Sequence, residues 1–408
     1  FFFNISCKNL LDNLPQNIKK KIVKLAISGT SVTLIACDLN GNPIEKAIPY
    51  HQACNENKKL VDVVTKTDFP LQKQRKVVAR AKSPVRISFG GGGTDLTHYF
   101  VQNGIGAVMN ATIKLFSHAS LKKRNDHKIK IISYDLDLNI EVDNLSELKE
   151  IPKMSLIHSL LYLIKPSFGF ELSIESDFPV GSGLGGSAVV LSAVIGCFNQ
   201  FREDPWDRHE VAQLAFQAER ILMDMSGGWQ DQIIASYGGI QHIHINKKGI
   251  FSSKPINISL KNVRKLESKF ILVFTKELRN SSKIIASQKK DLKNTIINYD
   301  LIKELVPEML ISLKRGDYRS IGQIFHSHWN IKKKLSKKIS SSKIDRIYKK
   351  LLKKGDFIGG KLIGAGGGGF FLMVSNNTKK SLLFLKKNKI NYTNFKFSYG
   401  GTRIENSY

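Results

Sequence analysis

Cysteine is scarce in this sequence. The 408 residues include four, at Cys7, Cys37, Cys54 and Cys197. No two of them form a Cys-x-x-Cys pair, and none has a histidine nearby at the spacing of a zinc site. This pattern argues against a disulfide framework and predicts free thiols in a reducing compartment, for which the cytoplasm is the simplest choice.

Long hydrophobic runs are also missing. The longest apolar stretch covers residues 187–198 and is interrupted by Ser192 and Gly196, so it is too short to cross a bilayer. The first residues, Phe1-Phe2-Phe3, have no basic region before them and polar sequence soon after. We therefore expect neither a membrane span nor a secretory signal.

Acidic residues are few relative to basic ones. The sequence has 34 aspartates and glutamates and 63 lysines and arginines, which gives a formal net charge of +29. Such a charge is typical of proteins that bind nucleic acid, an anionic membrane surface or anionic substrates. Lysine is spread along the whole chain, however, and no nucleic-acid-binding motif accompanies it. We interpret the charge as a composition bias and expect no specific nucleic-acid or membrane partner. A phosphorylated small-molecule substrate would suit such a surface.

The composition, with 42% hydrophobic residues, allows more than one hydrophobic core. Residues 1–75 are predicted to form a short α/β piece with a β-hairpin, because turn residues separate two apolar runs. The stretch ISGTSVTLIACDLNGNPI, within residues 22–54, weakly resembles the opening phosphate-loop hairpin of the FGGY carbohydrate kinases. It covers a small fraction of such an enzyme, so we interpret residues 1–75 as an appended remnant without ATPase activity.

From residue 77 onward the pattern changes, and glycine, serine and threonine cluster at residues 88–97, 181–187, 226–228 and 359–369. Apolar residues repeat with a helical period over residues 205–225 and predict an amphipathic helix there. Strands are predicted at residues 270–274 and 369–374. A helix with lysine on a solvated face is predicted within residues 331–354.

The strongest local signal is a glycine-rich loop that leads straight into an apolar helix, PVGSGLGGSA at residues 179–188. Glycines without a Cβ let backbone N–H groups approach a polyphosphate closely, and the helix N-terminus adds a partial positive charge. The Walker A pattern is absent from the sequence. Gly181, Gly183 and Gly186 also match a dinucleotide-binding fingerprint, but no acidic residue follows about twenty positions later. The loop is predicted to bind an anion.

Two further glycine clusters complete the pattern, SPVRISFGGGGTD at residues 83–95 and GAGGGG at residues 364–369. The three motifs in this order resemble the GHMP kinases, the superfamily named for galactokinase, homoserine kinase, mevalonate kinase and phosphomevalonate kinase. The resemblance extends from residue 77 to the C-terminus. FGGGGTDL, SGGWQDQ and GGKLIGAGGGGFF are most similar to the D-glycero-D-manno-heptose-7-phosphate kinases, with the fucokinases next.

The resemblance implies an α+β fold of two lobes with substrate bound between them. An ATP-binding domain of the ribosomal protein S5 domain 2-like type would occupy residues 77–246, and a GHMP C-terminal domain would occupy residues 251–408. Residues 1–75 would be a short N-terminal extension. The implied reaction transfers the γ-phosphoryl group of MgATP to the anomeric hydroxyl of D-glycero-D-manno-heptose 7-phosphate, giving the 1,7-bisphosphate.

The resemblance also implies roles for individual residues. Asp231 matches the catalytic base that faces the acceptor hydroxyl, and Arg86 matches the cation that stabilises the transferring phosphoryl group. Ser187 and Glu219 match the Mg²⁺ ligands, which are hard oxygen donors. The implied ATP-binding residues are Pro179, Gly181, Ser182, Gly183, Leu184, Gly185, Gly186, Ser187 and Ala188. The implied substrate-binding residues are Gly93, Thr94, Asp95, Gly366 and Gly367, and Asp95 would accept hydrogen bonds from sugar hydroxyls.

The sequence departs from the superfamily pattern in two places. Gly186 stands where many members have a serine before Ser187, so one hydroxyl is missing. Residues 96–99, LTHY, replace a proline-rich continuation, which leaves the wall on the sugar side undefined. Recognition of a 7-phosphate requires cations, and Arg279 and Lys361 are predicted for this role because they lie near serine-rich or glycine-rich turns.

Two other functions stay open. Another sugar 1-kinase, acting on fucose or galactose, would share every catalytic residue. A non-catalytic binding protein on a decayed GHMP scaffold belongs to a different class. The presence of all four implied catalytic and metal-binding residues argues against decay: Arg86, Ser187, Glu219 and Asp231. The sequence predicts no particular oligomeric state.

Overall fold

The computed structural model describes residues 24–28, 33–37, 78–277, 281–288 and 291–405. Strand β1 (Lys24–Ser28) pairs antiparallel with β2 (Thr33–Cys37). The hairpin predicted for this segment is therefore confirmed. The remainder of the prediction for residues 1–75, with the side chains of Cys7, Cys37 and Cys54, lies outside the described residues.

The part of the chain from residue 78 onward contains strands of very different length. They are β3 (Val78–Gly90), β4 (Ile105–Arg124), β5 (Ile129–Ser133), β6 (Leu138–Val142), β7 (Gly169–Ser176), β8 (Ile240–Asn246), β9 (Phe251–Pro255), β10 (Phe270–Phe274), β11 (Phe357–Leu362), β12 (Phe370–Ser375), β13 (Tyr392–Thr393) and β14 (Arg403–Ile404). The strand predicted at residues 270–274 is β10, and the strand predicted at residues 369–374 is β12, shifted by one residue.

Helices connect and cover these strands. They are α1 (Thr97–Asn103), α2 (Leu145–Lys149), α3 (Ser155–Ile164), α4 (Gly186–Asn199), α5 (Arg208–Phe216), α6 (Gln230–Tyr237), α7 (Leu260–Lys269), α8 (Ser281–Gln288), α9 (Leu292–Glu304), α10 (Val306–Arg315), α11 (Tyr318–Lys332), α12 (Ser342–Lys354) and α13 (Thr378–Lys387). A π-helical turn, Gln217–Leu222, follows α5 directly.

The first sheet joins strands that lie far apart in the sequence, from β3 to β14. Its order is β14–β3–β4–β7–β5–β6, and β8 pairs with both β4 and β9. The long strand β4 has room for two neighbours because its first half pairs with β8 and its second half with β7. Strands β5 and β7 run parallel. The sheet therefore includes β9 and β14, although both lie in the range predicted for the second domain, and the domain division itself stays a prediction.

Helix α4 is buried against the first sheet. Almost all of its residues from Ala188 to Phe198 are buried, which accounts for the longest apolar run of the sequence. A helix that is apolar on all sides packs inside a core instead of facing solvent on one side. Because α4 begins at Gly186, its burial fixes the position of the glycine-rich loop that precedes it.

The second sheet is antiparallel, in the order β11–β12–β10–β13. Its two central strands are almost completely buried, as their apolar sequences FILVF and FFLMVS predict. The core between the two sheets is continuous, because Phe89 of β3 packs against Phe270 of β10 and Phe325 of α11 at ring-centroid distances of 6.0 and 6.2 Å. The two lobes thus share buried aromatic contacts beside the cleft.

Two helix predictions need correction. The helix predicted within residues 205–225 begins at Arg208, where Asp207 and Glu210 form a capping box, and changes to the π-helical turn after Phe216. The segment 331–354 contains the end of α11 and all of α12, separated by residues 333–341. The side chain of Ser341 accepts a hydrogen bond from the amide of Ile344 and starts a new helix there.

Candidate active site

A cavity of about 690 Å³ opens between the two lobes. It is lined by the end of β3, the loop before α1, the glycine-rich loop, the π-helical turn, the start of α6, and parts of α8, α9, α11 and β11. Most of the motifs singled out in the sequence therefore meet at one concave surface. Such a cavity with a few convergent polar groups is the usual form of a small-molecule site.

The glycine-rich loop takes a backbone path that requires glycine. Gly181, Gly183 and Gly185 have φ angles of 76°, 84° and 84°, in the left-handed region that other residues avoid. A Cβ on Gly185 would also lie 3.4 Å from Cγ of Asp231 and 3.5 Å from Cγ of Arg86. The loop thus lies directly against both predicted catalytic residues and ends in the positive N-terminus of α4.

The second glycine cluster packs on this loop. A Cβ on Gly369, whose φ is 91°, would lie 2.2 Å from the carbonyl oxygen of Ser182. Of the predicted ATP-binding residues, six line the cavity: Gly181, Ser182, Gly183, Gly185, Gly186 and Ser187. Leu184 and Ala188 are buried behind them, and Pro179 is exposed outside the cavity lining. The binding roles themselves stay predictions.

Arg86, which is buried, forms an ion pair with the half-buried Asp231. The Nε and Nη2 atoms of Arg86 each lie 2.8 Å from Oδ1 of Asp231, and Nη1 donates to the carbonyl oxygen of Gly183 at 2.6 Å. The side chains are 4% and 18% exposed. Asp231 lies in the first turn of α6, where the helix dipole favours an anion. The pair holds a carboxylate and a guanidinium beside the glycine-rich loop.

Glu219 and Ser187 also lie together, as the predicted metal site requires. The hydroxyl of Ser187 donates to Oε1 of Glu219, and Nε2 of Gln232 donates to Oε2 at 2.6 Å. Nη1 of Arg220 lies 3.3 Å from Oε1. Among the residues that the structure describes, no group of three or more His, Cys, Asp and Glu side chains could hold a metal alone. Mg²⁺ accepts few protein oxygens when phosphate oxygens and waters complete its shell, so this donor set fits it.

Asp95 is almost completely buried at the edge of the cavity. It accepts hydrogen bonds from the backbone amides of Gly93 and Gln230, both at 3.1 Å, and from Nε2 of Gln230 at 3.3 Å. Burial raises the pKa of Asp95, and the nearby charge of Asp231 raises it further. Gly93 lines the cavity with Asp95, whereas Thr94 is buried with its hydroxyl turned to backbone carbonyls.

The second lobe contributes Lys361 of β11 and His328 of α11 to the cavity wall. The predicted substrate-binding residues Gly366 and Gly367 are not among the lining residues, and the neighbouring Gly364 and Ala365 take that position. The amide of Gly367 donates instead to the carbonyl oxygen of Ile339 at 2.7 Å. Arg279 lies outside the described residues.

Several lining residues were not predicted from the sequence. Arg220 lines the cavity, and its position next to Glu219 in the sequence was the available signal. Gln232, next to Asp231, is buried behind the lining and contacts Glu219. Tyr299 and His328 come from helices without a recognisable motif, and only the tertiary fold brings them to the cavity. One wall of the cavity was also missed. It is a mostly apolar surface beside the glycine-rich loop, formed by Leu136, Met154, Ile157, Ile174, Phe178 and Val190.

A glycine-rich loop at a helix N-terminus, a carboxylate paired with a guanidinium, and oxygen donors that suit a divalent cation are the parts that phosphoryl transfer requires. The GHMP kinases N terminal domain matches residues 154–239, and the GHMP kinases C terminal domain matches residues 309–391. A D-glycero-alpha-D-manno-heptose 7-phosphate kinase from Campylobacter jejuni is 33% identical over 296 residues, covering 70% of this chain and 86% of that protein. The chain therefore belongs to the GHMP kinase family.

Two other similarities are informative. An L-fucokinase/L-fucose-1-P guanylyltransferase from Bacteroides fragilis is 27% identical over 322 residues, which cover 70% of this chain and 33% of that longer protein. The crystal structure of a D-glycero-D-manno-heptose 1-phosphate kinase from Bacteroides thetaiotaomicron matches with a TM-score of 0.65 and 25% identity, covering 81% of this chain and 99% of that one. The predicted family and the GHMP fold are confirmed.

Proposed function

We propose that the protein is an ATP-dependent sugar 1-kinase whose acceptor is D-glycero-D-manno-heptose 7-phosphate and whose product is the 1,7-bisphosphate. The observation that carries this proposal is the ion pair of Arg86 and Asp231 against Gly185, because it sets a carboxylate and a cation at the end of the glycine-rich loop. The choice of acceptor is supported by the 33% identity to the Campylobacter jejuni heptose 7-phosphate kinase.

The proposed step is a direct displacement at phosphorus. Asp231 accepts the proton of the anomeric hydroxyl as its oxygen attacks the γ-phosphorus of ATP, and the bond to the leaving ADP oxygen breaks. Arg86 offsets the charge that develops on the transferring group. The hydroxyl of Ser187 and the carboxylate of Glu219 would hold Mg²⁺, which neutralises charge on the β- and γ-phosphates. Asp95 accepts hydrogen bonds from sugar hydroxyls and orients the ring.

A location in the cytoplasm remains part of this proposal. Its support is the reducing character inferred from four dispersed cysteines, of which Cys197 is a buried free thiol. In the described residues, no helix is both long enough and apolar enough to span a membrane.

The test is a coupled ADP-release assay with MgATP and a panel of acceptors: the heptose 7-phosphate, the unphosphorylated heptose, fucose and galactose. We expect kcat/KM for the heptose 7-phosphate to exceed that for each neutral sugar by about a hundredfold, the effect of one or two charge-assisted contacts to a phosphate. A preference for a neutral sugar would leave the kinase assignment intact and refute the acceptor. Nucleotide binding without ADP release from any sugar would identify a binding protein.

A further inference from the structure

Three polar side chains in the cavity wall form a group that we call the basic pocket: Ser88, His328 and Lys361. Lys361 is 2% exposed, and its Nζ lies 3.3 Å from the carbonyl oxygen of Phe89 and 3.5 Å from Nε2 of His328. No carboxylate of the described residues lies within ion-pair distance of this ammonium group. The charged form of a buried lysine without a counter-ion is costly, so a bound anion would stabilise that form.

Two polar atoms of the basic pocket lack hydrogen-bond partners. Oγ of Ser88 and Nδ1 of His328 are buried and make no hydrogen bond, although both residues line the cavity. The side-chain amide of Asn110, directly opposite Ser88 in the pairing of β3 with β4, is buried and unsatisfied as well. Buried polar atoms are almost always hydrogen-bonded in folded proteins, and a cluster of exceptions at a cavity indicates a ligand.

The position of the basic pocket separates it from the transferred phosphoryl group. Ser88 follows Arg86 by two residues on β3, a rise of about 6.6 Å along a strand. A Cβ on Gly92 would lie 3.6 Å from Oγ of Ser88, so the hydroxyl borders the loop that carries Asp95. The pocket therefore lies beside the expected acceptor, and its residue Ser88 is two positions along β3 from Arg86 of the catalytic ion pair.

We infer that the basic pocket binds the phosphate group of the acceptor that does not react. This inference rests on the proposed function, and it names the residues that distinguish a phosphorylated sugar from a neutral one. A dianionic phosphate would accept hydrogen bonds from Lys361, Ser88 and His328 at once. Such contacts are equal in the ground state and the transition state, so they lower KM and leave kcat nearly unchanged.

The test compares Lys361→Met with Lys353→Met, a matched control that removes the same charge from an exposed position in α12. For Lys361→Met we expect kcat/KM for the heptose 7-phosphate to fall about a hundredfold through KM, a much larger loss than for the unphosphorylated heptose, so that the preference for the phosphorylated acceptor is lost. The control should match the wild type with both acceptors. An equal loss of kcat for both acceptors, or an unchanged ratio between them, would overturn the inference.

A binding measurement separates this inference from the proposed reaction. With the glycine-rich loop filled by Mg²⁺ and the ATP analogue AMPPNP, inorganic phosphate should raise the Tm of the wild type and of Lys353→Met, and not that of Lys361→Met. If phosphate stabilises all three proteins equally, the pocket assignment fails. If the wild type shows the Tm shift but phosphorylates no sugar, the proposed function fails and the pocket stands. His328→Leu should reduce the same shift, and it provides the test should Lys361→Met not fold.

Discussion

Asp231 is held at two points, by the guanidinium of Arg86 and by the first turn of α6. Replacing it with asparagine keeps the size of the side chain and removes the proton acceptor. We expect Asp231→Asn to lower kcat by about a hundredfold or more, with little change in ATP affinity, because a general base acts on the transition state.

The measurement is steady-state ADP release together with a direct titration of ATP binding. Asp204→Asn, at an exposed position in the turn before α5, is the matched control and should behave as the wild type. If Asp231→Asn turned over at a near-normal rate, Arg86 and the positioning of substrates would account for the catalysis.

Lys361 gives stability a distinct pH dependence. Burial, together with the nearby charge of Arg86, lowers the pKa of Lys361 from 10.5 to about 7. His328, the other titratable group in contact with it, is kept neutral because burial holds its pKa well below 6.5. Between pH 7 and 10.5 the unfolded chain therefore binds a proton at Lys361 that the folded protein does not bind. The free energy of unfolding should rise with pH across this window.

Lys361→Met removes this contribution. Urea unfolding of both proteins at pH 7 and pH 9 should show a variant that is more stable than the wild type at pH 7, by a margin that narrows at pH 9. A margin that stays constant between the two pH values would show that Lys361 keeps an ordinary pKa. The titration of His328 affects stability below pH 6.5, outside this range.

At the level of secondary structure, local sequence determined some elements and tertiary contacts determined others. The buried strands β10 and β12 were predicted because their sequences are short runs of apolar residues, which are typical of strands buried on both faces. The break between α11 and α12 was missed although the capping residue Ser341 was visible in the sequence. The π-helical turn could not be predicted, since its residue Glu219 is held by Ser187 and Gln232 from other elements.

The contact between the two glycine loops can be tested at Gly369. A Cβ there would meet the carbonyl oxygen of Ser182 at 2.2 Å and would also force a residue with a side chain to a φ of 91°. Gly369→Ala should therefore displace the glycine-rich loop, raise the KM for ATP by about tenfold and lower the free energy of unfolding by about 1–3 kcal/mol.

Gly104→Ala is the matched control for this substitution. Gly104 has a nearly identical φ of 94°, but the nearest atom to its Cβ would be the end of the flexible Lys247 side chain, at 3.4 Å. The control should show the loss of stability from backbone strain and a normal KM for ATP. Equal KM values in the two variants would mean that the contact with Ser182 does not position the loop.

For the whole molecule, motifs predicted the first-lobe half of the site better than the second. Arg86, Ser187 and Asp231 lie in short glycine-rich segments whose backbone geometry is visible in the sequence. Tyr299 and His328 reach the cavity from α9 and α11, and nothing in those helices distinguishes them from ordinary buried residues. Their role depends on how the two lobes pack, which is information that the local pattern does not contain.

Residues 1–75 are predicted to be dispensable for catalysis. Every described residue that lines the cavity lies between Arg86 and Ala365. A protein that begins at residue 76 should therefore fold and phosphorylate the same acceptor with kcat/KM within about threefold of the full chain. Circular dichroism and the ADP-release assay would check this. A truncated protein that is folded but inactive would show that the N-terminal segment contributes to the site.

The pairing of β14 with β3 has a consequence for how the protein forms during synthesis. Lys82 and Glu405, which are joined by a salt bridge at this edge of the first sheet, are separated by 323 positions in the sequence. An emerging chain can assemble most of the first lobe early, but β3 keeps an unpaired edge until Arg403 and Ile404 leave the ribosome. Open edges invite pairing with other chains. The nascent kinase therefore keeps one aggregation-prone edge until these two residues have been synthesised.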